Sequence, residues 1–349
     1  MRRMPSPLAL FLLAPLIGEY LLGNIPLGNV WSLVSFVPTA LLYGGGAVLI
    51  REVAVRASGG WAMAFLLALA YGLIEEGLVT QSLFNLNYLG LGLGSYGVVP
   101  GLGISIPWTI YVLSIHSVWS IFVPIVLVET LYGLDRRPWL RPRGLVLNAV
   151  LYVVGALLLF AAMYTNETNA RFLLGPGQLA GTLVLVALLI AAAFATRTVH
   201  LGRTTRRAWP PAALTAFALA AGSALFLVFE FGPDRKALPE SLTLVAVLAL
   251  LAVVGAVLIV NARTAGWSHR HVLALAAGAV LTYCWVGFMV QITQYGFHLV
   301  PTIAQVVLVA GALALLSRAR LPIRSGAGME SRHGVPQKED SEGPDRRMP

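Results

Sequence analysis

The chain has 349 residues, 58% of them hydrophobic and 11% charged, and its mean hydropathy of +0.79 excludes a soluble globular domain. A single cysteine, Cys284, excludes an internal disulfide or a multi-thiolate metal centre. The formal charge of +9 reads as residues that orient a chain in a bilayer, so no nucleic-acid partner is expected. Of the 24 basic residues only Lys236 and Lys338 are lysine, a bias that points to a GC-rich bacterial genome and hence to a bacterial cytoplasmic membrane.

A membrane-spanning helix needs about 20 mostly apolar residues. Ten stretches qualify, at 8–24, 31–51, 61–84, 107–131, 145–164, 179–196, 211–230, 241–260, 271–294 and 299–317. The first follows Arg2 and Arg3, but no small-x-small cleavage site appears before Trp31 and Glu19 interrupts the run, so it reads as a retained helix rather than a signal peptide. Gly44, Gly45 and Gly46 in the second span suit close helix packing. Pro38, Pro124 and Pro301 are positions where their spans bend. Arg51 and Glu52 fall near the inner end of the second span, where they read as an interfacial anchor.

The third span holds Glu75 and Glu76, well inside an apolar run. A carboxylate at that depth costs about 2.5–3.5 kcal/mol on insertion scales. Adjacent residues on an α-helix point about 100° apart, so the two glutamates are not expected to use one partner in the same way. Residues 85–106 join the third and fourth spans without a charge and are rich in Gly, Leu and Tyr. They read as a loop lying on or dipping into the outer leaflet, or as a plain surface loop. The fourth span holds His116. Spans five to ten are mainly Ala, Leu and Val, with Glu230, Gln291 and Gln294 near outer ends. His200, His269 and His271 fall in basic inner loops, and His298 begins the tenth span. After 324 the chain turns polar and mixed in charge, so 1–324 reads as the transmembrane helical domain and 325–349 as a disordered cytoplasmic tail.

With both termini cytoplasmic, the ten spans put 21 basic residues on the inner side and three, Arg171, Arg235 and Lys236, on the outer side. A miscounted span would scramble that split. The fold class is therefore all-α, a polytopic transmembrane helix bundle of about ten spans with both termini cytoplasmic.

Depth gathers the polar residues. At 1.5 Å of rise per residue, Glu76 lies roughly 12 Å, His116 roughly 13 Å and Glu19 roughly 8 Å from the outer end of its span. Thr80 follows Glu76 at i+4, Ser82 follows Glu75 at i+7, and Trp119 and Ser120 follow His116 at i+3 and i+4. Glu75, Glu76 and His116 are the candidate catalytic residues, in an outward-facing polar cavity, with a slight preference for Glu76 as the working carboxylate. Glu19, Thr80 and Ser120 are the candidate substrate-binding residues at its edge. Glutamate and histidine together activate water, relay protons or bind a cation, and such residues also serve as hydrogen-bonding glue between helices. No nucleotide-binding or zincin motif is present, and the sequence assigns neither a cofactor nor a metal.

Glu75-Glu76 in one membrane helix, with His116 in the next, resembles the CPBP family, the CAAX-protease and bacteriocin-processing group of intramembrane proteases. The resemblance covers the third and fourth spans. It implies an all-helical membrane core in which a glutamate and histidines activate water for peptide hydrolysis. Thr80 stands where that family has an arginine and Val112 where it has a phenylalanine, and no later span carries its His-x-x-x-Asn motif; His298 is followed at i+4 by Thr302. Three functions follow as expectations: an intramembrane hydrolase acting on a membrane-embedded peptide, a proton-coupled transporter of a small molecule, or a non-catalytic scaffold that keeps the fold and binds.

The topology is checked with Cys284→Ser as background and single Thr165→Cys and Thr205→Cys substitutions. In intact cells an impermeant thiol reagent should label the first and miss the second; the reverse pattern would invert the orientation.

Overall fold

The computed structural model describes residues 4–134, 136–198, 202, 204–234 and 236–320. The expected tail, together with Arg2, Arg3, His200, Arg203 and Arg235, lies outside the described residues. Among the described residues nine helices are long and apolar enough to cross a membrane, and a shorter apolar helix precedes them. In chain order they are α1 (Ser6–Leu21), α2 (Val30–Arg56), α3 (Trp61–Val79), α4 (Ile106–Leu131), α5 (Pro142–Thr165), α6 (Pro176–Ala195), α7 (Pro211–Gly232), α8 (Glu240–Ala262), α9 (His269–Tyr295) and α10 (Leu299–Ala319). These are the ten stretches expected from hydropathy. The main departures are that α1 stops at Leu21 and α3 at Val79, each short of the expected end. The β-structure among the described residues is two small two-stranded pairings in loops, Val98–Val99 with Ile104–Ser105 and Thr204–Arg207 with Thr264–Ala265.

The bundle has a centre and a rim. In α2, α3, α4 and α9 between 56% and 67% of the most apolar stretch is buried, against 11–17% in α5, α6, α8 and α10. The rim helices turn Leu and Val outward, for example Leu157, Leu185, Val245 and Val307. That is what a bilayer demands, since lipid tails are as apolar as leucine and give no reason to hide it. The glycine triplet packs as expected. A Cβ on Gly44 would stand 2.1 Å from the Phe11 carbonyl oxygen of α1, and one on Gly46 would stand 2.4 Å from the Tyr71 ring of α3.

Loop contacts sort the connections into two faces. On one face Tyr295 Oη donates to Asn24 O at 2.7 Å, Leu89 N to Asn169 Oδ1 at 2.7 Å and Tyr96 Oη to Leu238 O at 2.8 Å. These tie together the loops that follow α1, α3, α5, α7 and α9. On the other, Tyr132 Oη donates to Met4 O at 2.7 Å, Arg56 Nη2 to Leu140 O at 2.5 Å and Thr204 N to Arg263 O at 2.8 Å. Alternation of loops between faces is what the charge count requires, and the second face carries most of the arginines.

At that basic face Arg51 and Glu52 are not an interfacial anchor. Both are buried, at 1% and 0% exposure. Arg51 Nε lies 2.5 Å from Glu129 Oε1 of α4, and its Nη1 lies 3.0 Å from Glu52 Oε1 and 2.8 Å from Arg137 O. The guanidinium sits 3.6 Å from the centroid of the Trp139 ring, and the Trp139 backbone N–H donates to Glu52 Oε1 at 2.7 Å. The loop after α4 folds over the end of α2, and its carbonyls and indole replace the water an interfacial arginine would use. Opposite charges so desolvated hold only while all are paired. Arg51→Met should therefore leave Glu129 without its cation and Glu52 with Arg56 alone, and cost about 3–5 kcal/mol. A large fall in the melting temperature of the detergent-purified protein checks this; unchanged melting would mean the network is solvated.

Candidate functional site

Among the described residues five segments leave the α-helical pattern for the wider π-helical one. Four of them are Leu16–Leu21 in α1, Ala40–Gly44 in α2, Glu75–Val79 at the end of α3 and Ile115–Phe122 in α4. Each carries at least one polar member of a single buried cluster: Glu19, Tyr43, the Glu75–Glu76 pair, and His116. The fifth, Glu230–Asp234, ends α7. Proline accompanies three of the four. Pro15 immediately precedes the first, Pro38 lies just before the second and Pro124 follows the fourth. A proline removes a backbone donor from the α-helical ladder, so the neighbouring hydrogen bonds must be redistributed.

The wider turn places adjacent residues less than 100° apart, and both glutamates of α3 reach the same imidazole. Glu76 Oε1 lies 2.8 Å from His116 Nε2, and Glu75 Oε2 lies 3.2 Å from His116 Nδ1. The two share this partner but not in the same way, each approaching a different ring nitrogen. All three side chains are buried, at 0%, 4% and 6% exposure for Glu75, Glu76 and His116.

The two carboxylates have different surroundings. Glu76 is saturated: Oε2 accepts from Thr80 Oγ1 at 3.0 Å and, more closely, from Ser82 Oγ. Trp108 Nε1 in turn donates to Ser82 Oγ at 3.0 Å. Ser82 was expected to sit beside Glu75. It meets Glu76 because the helix stops at Val79, and the chain folds back through Gln81 at φ 58°. Glu75 has neither oxygen in a hydrogen bond, despite the close approach of Nδ1. The hydroxyl of Tyr71, one turn earlier on α3, is also buried and lies beside Glu75 without a hydrogen bond of regular geometry.

Glu19 joins the cluster through Tyr43. Tyr43 Oη donates to Glu19 Oε1 at 2.5 Å, while its ring stacks on His116 with centroids 5.7 Å apart. Asn24 Nδ2 donates to the other Glu19 oxygen at 2.7 Å. Ser120 Oγ lies 3.5 Å from His116 Nδ1, and Ser120 packs against Gly18, where a Cβ would stand 2.7 Å from its hydroxyl. Thr80 and Ser120 thus make contacts with the site's own groups. Trp119 turns away, stacking on Tyr283 with centroids 5.0 Å apart and donating to Ala279 O at 2.7 Å. His298 stays exposed at the start of α10.

The outer end of the site is covered by the loop between α3 and α4, which is tied to the loops after α5 and α7. Tyr88 of this loop packs at 6.2 Å from Trp108. Burial pushes its phenol well above the ordinary range, and the charges of Glu76, Glu19 and Glu75 push it further. The three residues expected to line an outward-facing cavity are buried here.

One donor atom each from Glu75, Glu76 and His116 lie within 4.8 Å of one another, close enough to hold a metal ion. Tyr43, Tyr71 and Asn24 were not singled out from sequence. The available signal was a hydroxyl or amide in or beside an apolar span, near a proline or a glycine cluster.

Residues 8–324 match the model of an uncharacterized membrane protein family, and the chain belongs to that family. No curated protein and no solved structure matches it. The matching model is not the CPBP one, and it neither supports nor opposes the likeness carried by Glu75, Glu76 and His116.

Tyr43→Phe keeps the ring on His116 and removes the donor to Glu19. A hydrogen bond to a charged acceptor contributes about 1.5–3 kcal/mol, and the variant should melt correspondingly lower in detergent. Wild-type melting would mean Glu19 does not depend on Tyr43.

Proposed function

We propose that the chain is an intramembrane hydrolase of a bacterial cytoplasmic membrane, in which Glu75 and His116 activate water to cleave a peptide bond of a membrane-embedded substrate. The observation that carries this is the contrast between the two glutamates. Glu76 has both oxygens engaged and holds Nε2 of the imidazole, as the third member of a catalytic constellation orients a base. Glu75 has buried, unpartnered oxygens beside Nδ1, and so has lone pairs for a water. The slight preference for Glu76 as the working carboxylate therefore passes to Glu75.

Proton transfers in this arrangement balance. Glu75 takes a proton from water as the water oxygen bonds to the peptide carbonyl carbon. When protonated, His116 Nδ1 gives its proton to the departing amine as the C–N bond breaks, and Glu75 then returns a proton to the imidazole. Positioned acid–base groups of this kind supply about 10²–10⁴-fold in rate. Substrate and water must enter past the loop between α3 and α4, so opening of that loop is part of the cycle.

The Tyr43 hydroxyl, joining Glu19 on α1 to the ring stacked on His116, favours a second reading. It links ionisable groups on three helices, as a proton-coupled transporter requires.

The full-length protein in proteoliposomes, given candidate membrane peptides, separates these readings. Glu75→Gln and His116→Asn should each lower cleavage by about 10²–10⁴-fold while melting stays near that of wild type. Substrate-dependent proton flux without cleavage selects the transporter, neither activity leaves a scaffold, and failure of both variants to fold makes the cluster helix-to-helix glue.

A further inference from the structure

We infer that Glu75, Glu76 and His116 bind one divalent first-row transition-metal ion, with a water in the remaining position. The inference concerns the site just described. It rests on the hydrolase reading only for what the ion would do, and not for whether it binds; with the ion bound, Glu76 exchanges its contact with His116 Nε2 for the metal, and Glu75 and His116 would hold the ion and its water in place of the direct proton transfers given above.

Three observations converge. The first is the donor set, one atom each from two carboxylates and an imidazole within 4.8 Å of one another. Around an ion with bonds of about 2.0–2.2 Å, such atoms stand roughly 3–4 Å apart, so the set needs only a small contraction. The π-helical turn that brings adjacent glutamates to one side of α3 makes the convergence possible.

The second is valence. Both oxygens of Glu75, wholly buried, lack a hydrogen bond, and Oε2 stands 3.2 Å from His116 Nδ1. That separation matches two ligands sharing one ion. The Tyr71 hydroxyl, outside the donor set and one turn before Glu75, is likewise buried and lies beside that carboxylate without a hydrogen bond of regular geometry. It supplies a hydrogen bond for a water on the ion. Unsatisfied polar atoms are rare in protein interiors, and three of them here call for an occupant.

The third is charge. Two buried carboxylates face one imidazole, which neutralises at most one of them. A divalent ion with neutral histidine cancels both. The other buried carboxylates at hand are already provided for: Glu19 by Tyr43 and Asn24, and Glu52 and Glu129 by Arg51. Mixed carboxylate and imidazole donors suit zinc, manganese or iron better than calcium or magnesium. Three protein ligands with an open position is the arrangement that lowers the pKa of bound water to about 7.

The test uses the full-length protein in detergent, purified without a polyhistidine tag, equilibrated with zinc and desalted. Elemental analysis should find about one zinc ion per chain, falling by about 10-fold or more in Glu75→Gln and in His116→Asn and unchanged in the exposed control Glu240→Gln. Because a variant may lose its metal by misfolding, the wild-type protein is also read directly. Zinc should raise its melting temperature, a chelator should reverse the rise, and cobalt in its place should give visible d–d absorption. A wild-type chain that retains no zinc and melts alike with zinc and with chelator overturns the inference, as does zinc retained equally by both variants. Zinc bound without peptide cleavage keeps the ion and defeats the hydrolase. Cleavage by a wild-type chain that retains no zinc after equilibration keeps the hydrolase and defeats the ion.

Discussion

The grip of two carboxylates on one imidazole inside an apolar bundle is the constraint around which the centre of this protein is arranged. Charged and polar groups at that depth are costly unless each finds a partner. Each partner has to come from another helix or from a turn that folds back. Thr80 and Ser82 turn back over the end of α3, Trp108 enters from the start of α4, and Tyr43 comes from α2 bridged to Glu19 of α1. The four most N-terminal helices are thereby committed to one another by polar contacts as well as by packing. The rim helices α5, α6, α8 and α10 take little part in this and mainly present aliphatic side chains outward.

The same helices carry a second polar knot at the opposite face, around Arg51, Glu52 and Glu129. Tyr43 and Arg51 belong to α2, and His116 and Glu129 to α4. The α2–α4 contact is thus fastened twice, by ring stacking on His116 in the outer half and by an ion pair at the inner end. Between these points lie apolar contacts among Ala47, Val48, Ile121 and Ile125. Two directional contacts on one helix pair fix its rotation as well as its distance, and that rotation sets where His116 points.

π-Helical turns supply the local geometry. An α-helix would send Glu75 and Glu76 to different neighbours. The wider turn lets both serve His116, and in α4 it separates His116, which faces the cluster, from Trp119, which faces α7 and α9. Interruptions of this type recur at functional sites because they redirect side chains without ending the helix. Four helices carry such a turn where each contributes to the cluster.

Much of the architecture was legible in the sequence. Hydropathy marked all ten helices, because a span must hide its backbone and its length is set by the bilayer. The asymmetry of arginines ordered the loops, and the alternation of loop contacts between faces agrees with it. Glu75, Glu76 and His116 stood out because ionisable residues are rare in apolar runs, and matched depth brought them together. Sequence could not say which glutamate is saturated and which is free, that Tyr43 lies between Glu19 and His116, or that Arg51 is buried under the loop after α4. Those facts depend on helix rotation, on π-helical turns and on a chain reversal at Gln81, all set by contacts between residues far apart in the chain. Composition and periodicity determine which residues enter the membrane and how deep, and only tertiary packing decides which of them meet.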